Sequence, residues 1–395
     1  MKLCIVTHRV SLGDGQGRVN YAVVRHAIGA GHQVTLLASE VAPDLLHHPL
    51  VSWINLPVDG LPTELLRNLV FSWRSGRWLQ KHAAEFDLIK LNGAITNFPA
   101  DVNAVHFVHS DWLRFAKRSL RESPASNTPG LRGLYQRCYT LLNAHWERQA
   151  FGRSQVLVAV SHAMRQSLID LGVPAAKIRV IANGVDLTEF SPGHAERSHW
   201  DLPETVPLAL FAGDIKTPRK NLETVLHAMT QVPALHLAVA GDPAGSPYPA
   251  LAASLGLGDR VHFLGYRRDL ATLMNAVDLF VFPSRYETSG LVLLEAMAAG
   301  LPVVTAATVG GAEIVTPECG VVLPDPNDQP ALAQILQTLV ADPQRRSQMG
   351  QAARRRAETQ TWDVTAQQYL TLFETLAPSP ARHEADRHHP HLLPH

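Results

Sequence analysis

Cysteine is scarce in this chain: Cys4, Cys138 and Cys319 are odd in number and widely spaced. They form neither a disulfide framework nor a zinc-ligand pattern, which predicts a reducing, cytoplasmic setting. Long apolar runs are missing too; none approaches the ~20 residues needed to span a bilayer. The opening MKLCIVTHRV has one lysine and a short apolar run stopped by His8. It is expected to be a first β-strand rather than a signal peptide. Net charge is absent, since 35 Lys+Arg balance 35 Asp+Glu. A neutral chain with no recognisable binding module argues against nucleic acid as a partner. Charged residues make up only 18% against 46% hydrophobic, which predicts a globular, soluble protein.

The 395 residues are too many for one ordinary core and fit two domains of roughly 150–200 residues each. Short apolar runs alternate with helical patterns twice over. KLCIVTH, HQVTLLA, LVSWINLP, FDLIKLNG, NAVHFVHS, QVLVAVS and KIRVIANG fill the first half; PLALFAGD, ALHLAVAGD, RVHFLGY, LFVFPS, LPVVTA and GVVLP fill the second. Runs this short and apolar throughout, separated by helices, indicate parallel strands buried on both faces. The expectation is α/β: two doubly wound, Rossmann-like units. The polar, Pro/Gly-bearing join divides them into domains 1–190 and 204–361. A helix over 362–378 follows the second sheet, and the Pro/His-rich tail 379–395 has no period and is expected to be disordered. Residues 111–151 read as long helix broken at SPASNTPG.

In open α/β sheets ligands bind beyond the carboxyl ends of the strands, and four such ends carry candidate chemistry. After the first strand, SLGDGQGR offers Gly13, Gly15 and Gly17, which let backbone approach an anion at a helix start or make a plain turn. In VHFVHSDW, His106 and His109 are placed to face a cleft or to serve the core. In FAGDIKTPRKNLETVLHA, Lys216, Arg219 and Lys220 crowd a helix N-terminus near Asn221. Cations there oppose the helix dipole unless a phosphate lies between, or unless the turn is simply solvated. In PSRYETSGLVLLEAMAAG, a helix is expected from about Ser289 to Ala299, with Gly300 ending it. Glu287 then lies in the loop before that helix. Glu295 lies two turns inside an otherwise apolar stretch, where a carboxylate needs a partner: a distant arginine or a ligand hydroxyl pair.

Taken together, these stretches carry a resemblance. GDGQGRVNYAVVRHAIGAGHQVTLLAS, VLVAVSHAMRQSLIDLGVPAAKIRVIANGVDLTEFSP, VHFLGYRRDLATLMNAVDLFVFPSRYETSGLVLLEAMAAGLPVV and GGAEIV are similar to the retaining glycosyltransferases of family 4, which have the GT-B architecture. The likeness covers about 1–378; Glu287 and Glu295 match its two-glutamate motif, and NGVD (183–186) with Phe190 its interdomain signature. The resemblance implies two Rossmann-like domains facing across a cleft, with the last helix returning to the first domain. It implies a nucleoside-diphosphate sugar as donor substrate, no cofactor, and a glycan, lipid-linked or small-molecule acceptor bound on the N-terminal side. It assigns Glu295 to the ribose, Glu287 and His109 to the reacting sugar, with His106 close enough to leave that histidine open. Arg219 and Lys220 are assigned to the diphosphate, and Gly15, Gln16, Gly17, Ser289, Gly290, Leu291 and Val292 to the donor loops. A metal is not implied: fixed cations and helix amides can stabilise a leaving diphosphate, and Asp325-Pro326-Asn327-Asp328 reads as a turn.

Two departures stand out. Where the family often has Glu-Gly-Phe-Gly this chain has Glu287-Thr288-Ser289-Gly290, and where it commonly has Arg this chain has Asp214, which should repel a diphosphate unless Lys216 compensates. A catalytically degenerate sugar-nucleotide binder or scaffold is the alternative. Residues 1–190 hold 20 Lys+Arg against 14 Asp+Glu. The excess lies over 114–153, interleaved with Trp112, Phe115, Tyr135, Tyr139 and Trp146. That pattern suits an anionic membrane surface contacted through 112–153, or a helix pair packed on the core with a solvated basic face.

Overall fold

A computed structural model describes residues 1–13, 15–122 and 131–377. The helix break expected at 123–130 and the tail expected at 379–395 lie outside the described residues. The first sheet contains strands β1 Lys2–Val6, β2 Gln33–Ala38, β3 Val51–Asn55, β4 Leu88–Asn92, β5 Val102–Val105, β6 Val156–Ala159 and β7 Ile178–Val180. The second contains β8 Leu208–Ala212, β9 His236–Ala240, β10 Val261–Gly265, β11 Leu279–Phe282, β12 Val303–Ala306 and β13 Gly320–Leu323. Every pairing in both is parallel. The spatial orders are β3-β2-β1-β4-β5-β6-β7 and β10-β9-β8-β11-β12-β13. Leu3, Cys4, Ile5 and Val6 are all at 0% exposure, as are Leu208, Ala209, Leu210 and Phe211. Burial on both faces is why these strands read as unbroken apolar runs.

In each sheet the order reverses beside the first strand, which opens a crevice at the carboxyl ends there. Six helices frame that region or tie the domains together: α1 Gly15–Gly29, α2 Glu64–His82, α3 His109–Glu122, α4 Leu131–Arg153, α5 Leu291–Ala298 and α6 Trp362–Leu376. The starts of two are set by glycine-bearing turns. Helix α1 takes its first turn from Gly15, inside the run read as a helix start or a plain turn. Helix α5 starts two residues after Ser289, because Gly290 adopts a left-handed φ of 78° as its N-cap.

Helix α6 buries Tyr369, Leu370 and Phe373 among Val19, Val23 and Ala27 of α1, so the end of the chain completes the first core. Each large apolar side chain buried this way contributes roughly 1.5–3 kcal/mol. The chain therefore crosses between the cores twice, and the crossings lie side by side. The Val185 amide donates to Gln360 O at 3.0 Å, and Thr365 Oγ1 donates to Ala182 O at 2.9 Å. A Cβ on Gly184 would stand 2.3 Å from the Thr361 carbonyl carbon. Val185 and Phe190 already belong to the second core, alongside Trp200 and Leu202.

The aromatic residues of 112–153 are largely occupied. Trp112 and Phe115 pack on Tyr286 of the second domain, with ring centroids 5.9 and 5.6 Å away, and Tyr139 packs on His109 at 5.8 Å. An exposed apolar stripe lies on α2, at Leu66, Leu69 and Trp73, while α4 exposes Tyr135, Leu141 and Leu142.

Candidate active site

A cleft of about 900 Å³ opens between the two sheets, at both crevices. The first domain contributes Gly15, Gln16, His106 and Asn183; the second contributes the loops after β8 and β11 and the start of α5. Helices α1 and α5 both present their N-termini here, and a Cβ on Gly15 would stand 2.7 Å from Leu291 Cδ1. Two helix N-termini thus face one space, a preference for an anion.

Glu295 lines this cleft from the second turn of α5. Among the described residues its carboxylate has no hydrogen-bond or ion-pair partner. Burial pushes its carboxyl up to about 7, against a smaller downward pull from Arg18. The distant arginine allowed by the sequence does not pair with it: Arg18 binds Glu189 at 3.0 Å. A carboxylate left without a donor in a cleft fits a ligand that brings hydroxyls.

Glu287 is ion-paired with Lys220, and Arg219 Nη1 stands 3.7 Å from the same Glu287 oxygen. Burial lowers the Lys220 ammonium from its ordinary value, and Glu287 works against that shift. Glu287 and Lys220 line the cleft, whereas Arg219 sits behind its wall. The cations are held by Asn221, a buried residue at a left-handed φ of 65°. Its Nδ2 donates to Pro283 O at 3.0 Å and to Pro326 O at 2.6 Å. Strain of this sort, about 1–3 kcal/mol, persists only where the surroundings impose it. The sequence marked Asn221 only as a helix start, not as a buried, left-handed residue.

The two departures have local explanations. Asp214 turns its carboxylate into its own loop, accepting from the Lys216 amide at 2.9 Å and from Thr217 Oγ1 at 3.2 Å. The Lys216 ammonium, looked to as the compensating charge, pairs with Asp242 instead, at 2.5 Å. Thr288 and Ser289 are held from the first domain: Asn183 Nδ2 donates to Ser289 Oγ at 2.9 Å, and Ser161 Oγ donates to Thr288 O at 2.9 Å. Beneath them, a Cβ on Gly310 would stand 2.0 Å from Thr288 O and one on Gly311 2.4 Å from Ser289 O. The GG of GGAEIV is the floor on which the donor loop rests.

The structure places His106, and not His109, on the cleft wall. His109 Nδ1 stands 2.6 Å from Glu147 Oε1, and its backbone amide donates to Oε2 at 2.9 Å. His106 keeps Nε2 without a partner. Burial pushes its imidazole down to about 3, helped by the charge of nearby Lys90, so it is neutral at pH 7. Lys90, fully buried on β4, donates to Asn20 Oδ1 of α1 and to Asn92 Oδ1, each at 2.7 Å. Gly17, in the first turn of α1, is buried and does not line the cleft. Ser289, Gly290, Leu291, Val292, Gly15 and Gln16 all line it. Asn183 of the NGVD stretch joins them, as do residues not singled out from the sequence, among them Asp242, Arg267 and Tyr266, the last 78% exposed.

Two parallel sheets facing a cleft of this composition define a GT-B glycosyltransferase fold. The model for glycosyl transferases group 1 matches residues 194–356, and that for glycosyltransferase family 4 matches residues 13–189. A D-inositol 3-phosphate glycosyltransferase of Kineococcus radiotolerans is 35% identical over 80% of this chain and 78% of its own length. That of Salinispora tropica is 34% identical over 58% of this chain, and the match spans only about half, 52%, of that relative. In three dimensions the chain is similar to sucrose-phosphate synthase from Thermosynechococcus elongatus, with a TM-score of 0.74 at 24% identity, covering 95% of this chain and 98% of that one. It is also similar to Anabaena HepE in complex with UDP-glucose, at TM-score 0.63 and 20% identity over 98% of this chain and 100% of that one. These likenesses in structure speak to the fold. The chain belongs to glycosyltransferase family 4, the group 1 glycosyl transferases.

Proposed function

We propose that the chain transfers a hexose from a nucleoside-diphosphate sugar to a hydroxyl acceptor, with retention and without a metal. The observation that carries this is Glu295: a carboxylate with no partner among the described residues, on the wall of a cleft into which two helix N-termini open. A ribose diol supplies the two O–H donors Glu295 lacks, as acids do in other nucleotide sites. The diphosphate then lies at the first amides of α5 and the Gly15 turn, within reach of Lys220. The base extends toward Tyr266, where stacking is worth about 1–3 kcal/mol.

Departure of the nucleoside diphosphate builds negative charge at fixed positive groups, which stabilises the transition state without reorganisation. Glu287 holds Lys220 in place beforehand and shares it with the phosphates when the donor arrives. His106 is a neutral imidazole with a free nitrogen, able to hydrogen-bond the transferring sugar; His109, held by Glu147, positions the turn below it. Retention follows if the acceptor attacks on the face the diphosphate leaves, with a phosphate oxygen taking its proton. The test is turnover. Release of nucleoside diphosphate from a donor that binds, undiminished by EDTA, with an NMR-assigned product anomer matching the donor, is the expected result. Binding without any release would leave a silent binder, and an inverted anomer would overturn retention.

Membrane contact is the second part of this reading, through α2 as well as the exposed Tyr135, Leu141 and Leu142 of 112–153. Leu66, Leu69 and Trp73 point to solvent at 41%, 42% and 60% exposure, and the Arg77 guanidinium lies 5.2 Å from the Trp73 ring centre. Arg74, Arg77 and Lys81 are exposed on the same helix, whose one acid is Glu64 at its far end. Such a face complements an anionic bilayer. Co-sedimentation with anionic vesicles at low salt, reduced by Trp73→Ser, is expected; no sedimentation at any salt concentration would exclude it.

A further inference from the structure

A second cavity, of about 500 Å³, adjoins the donor cleft. It opens at the carboxyl ends of β1 to β3 and the first turn of α2, and it shares Gln16 with the donor cleft. Its volume is that of a small-molecule site. Its wall is polar, and each of its arginines faces a carboxylate. Arg9 pairs with Glu40 at 3.3 Å and Arg67 with Glu64 at 2.9 Å, while Asp59 adds a third carboxylate. His8 is packed against Phe71, ring centres 4.2 Å apart, and burial lowers its imidazole below the ordinary value, so it is neutral at pH 7. The balance is two cations against three anions.

A phosphomonoester brings a charge of about −1.5 to −2 and calls for uncommitted guanidinium or ammonium groups. Each arginine here already faces a carboxylate, and the third carboxylate, Asp59, leaves the wall net negative, which disfavours a phosphate. An alkyl chain would strand every one of these polar groups without water. A ring bearing several hydroxyls satisfies them, since its O–H groups can donate to Glu40, Asp59 and Glu64 and accept from Asn68. We propose that this cavity is the acceptor subsite, and that the acceptor it takes is an uncharged polyhydroxylated ring, a sugar or cyclitol, rather than its phosphate ester. The proposal rests on the transferase reading.

The experiment measures nucleoside-diphosphate release by the full chain with a donor that binds, against glucose, myo-inositol and the monophosphates of each. The neutral acceptors are expected to give kcat/KM at least tenfold above their monophosphates. Glu64→Gln releases Arg67, and is expected to shift the ratio of kcat/KM toward the monophosphates by fivefold or more. Preference for the monophosphates, use of neither class, or a ratio unmoved by Glu64→Gln overturns the proposal. Thermal shift by the donor, measured on the wild type, keeps the two readings apart. A shift without this acceptor preference removes only the acceptor proposal. No shift with any nucleotide sugar removes the transferase reading beneath it.

Discussion

At the scale of single residues, the proposed donor recognition turns on Glu295. Its carboxyl, raised by burial to about 7, is largely protonated at pH 6 and largely ionised at pH 8 when the cleft is empty. Because this carboxyl is raised in the folded protein, the stability it contributes is present below its ordinary value and lost as pH rises through about 7. A ribose diol donates its hydroxyls to the ionised form, so donor binding displaces the proton. Affinity for a nucleotide sugar is therefore expected to rise by up to about tenfold per pH unit up to about 7, then level off. Titration calorimetry at pH 6 and pH 8 reads this directly, and Glu295→Gln should bind weakly with a flat profile. Lys220→Met is expected to lower kcat by about 10²–10³, the usual loss when one group opposing developing charge is removed. Steady-state kinetics at saturating donor checks it.

What was legible at this scale was residue type and strand-end position; pairing was not. Glu287 and Lys220 could be placed at two loops of one crevice, but their direct ion pair joins residues 67 apart. His106 and His109 were equivalent in sequence. The difference between them is made by Glu147, 38 residues beyond His109 on another helix. Thr288 and Ser289 looked like departures because their partners, Ser161 and Asn183, lie in the other domain.

At the scale of elements, the sheets were readable because parallel strands buried on both faces leave an unbroken apolar signature. Helix starts were less so. Gly290 and Asn221 take left-handed φ before their helices, and that choice depends on what packs behind them: Val309 against Gly290, Pro283 and Pro326 around Asn221. Gly184 is the sharpest constraint of this kind. With Thr361 backbone 2.3 Å from where its Cβ would be, Gly184→Ala must push apart the two crossings between the cores. The expected loss is about 1–3 kcal/mol, as for other overpacked sites, read by urea denaturation. An unchanged midpoint would mean that the crossings are not held together there.

At the scale of the whole molecule, the donor loop is built by both domains at once. Its main chain rests on Gly310 and Gly311, its side chains are bonded to Asn183 and Ser161, and Tyr286 before it is seated among Phe107, Trp112 and Phe115. Glu295 then faces a cleft that no single domain encloses. The most direct measurement is thermal shift of the full chain with UDP-, GDP- and ADP-sugars, on wild type and on Glu295→Ala. A ligand that binds only the folded state raises the melting temperature with its excess over Kd. A rise with the sugars of one base, and its loss in Glu295→Ala, is the expected result. Folded protein whose melting temperature moves with none of them, or moves equally in Glu295→Ala, would contradict a nucleotide-sugar site built on Glu295.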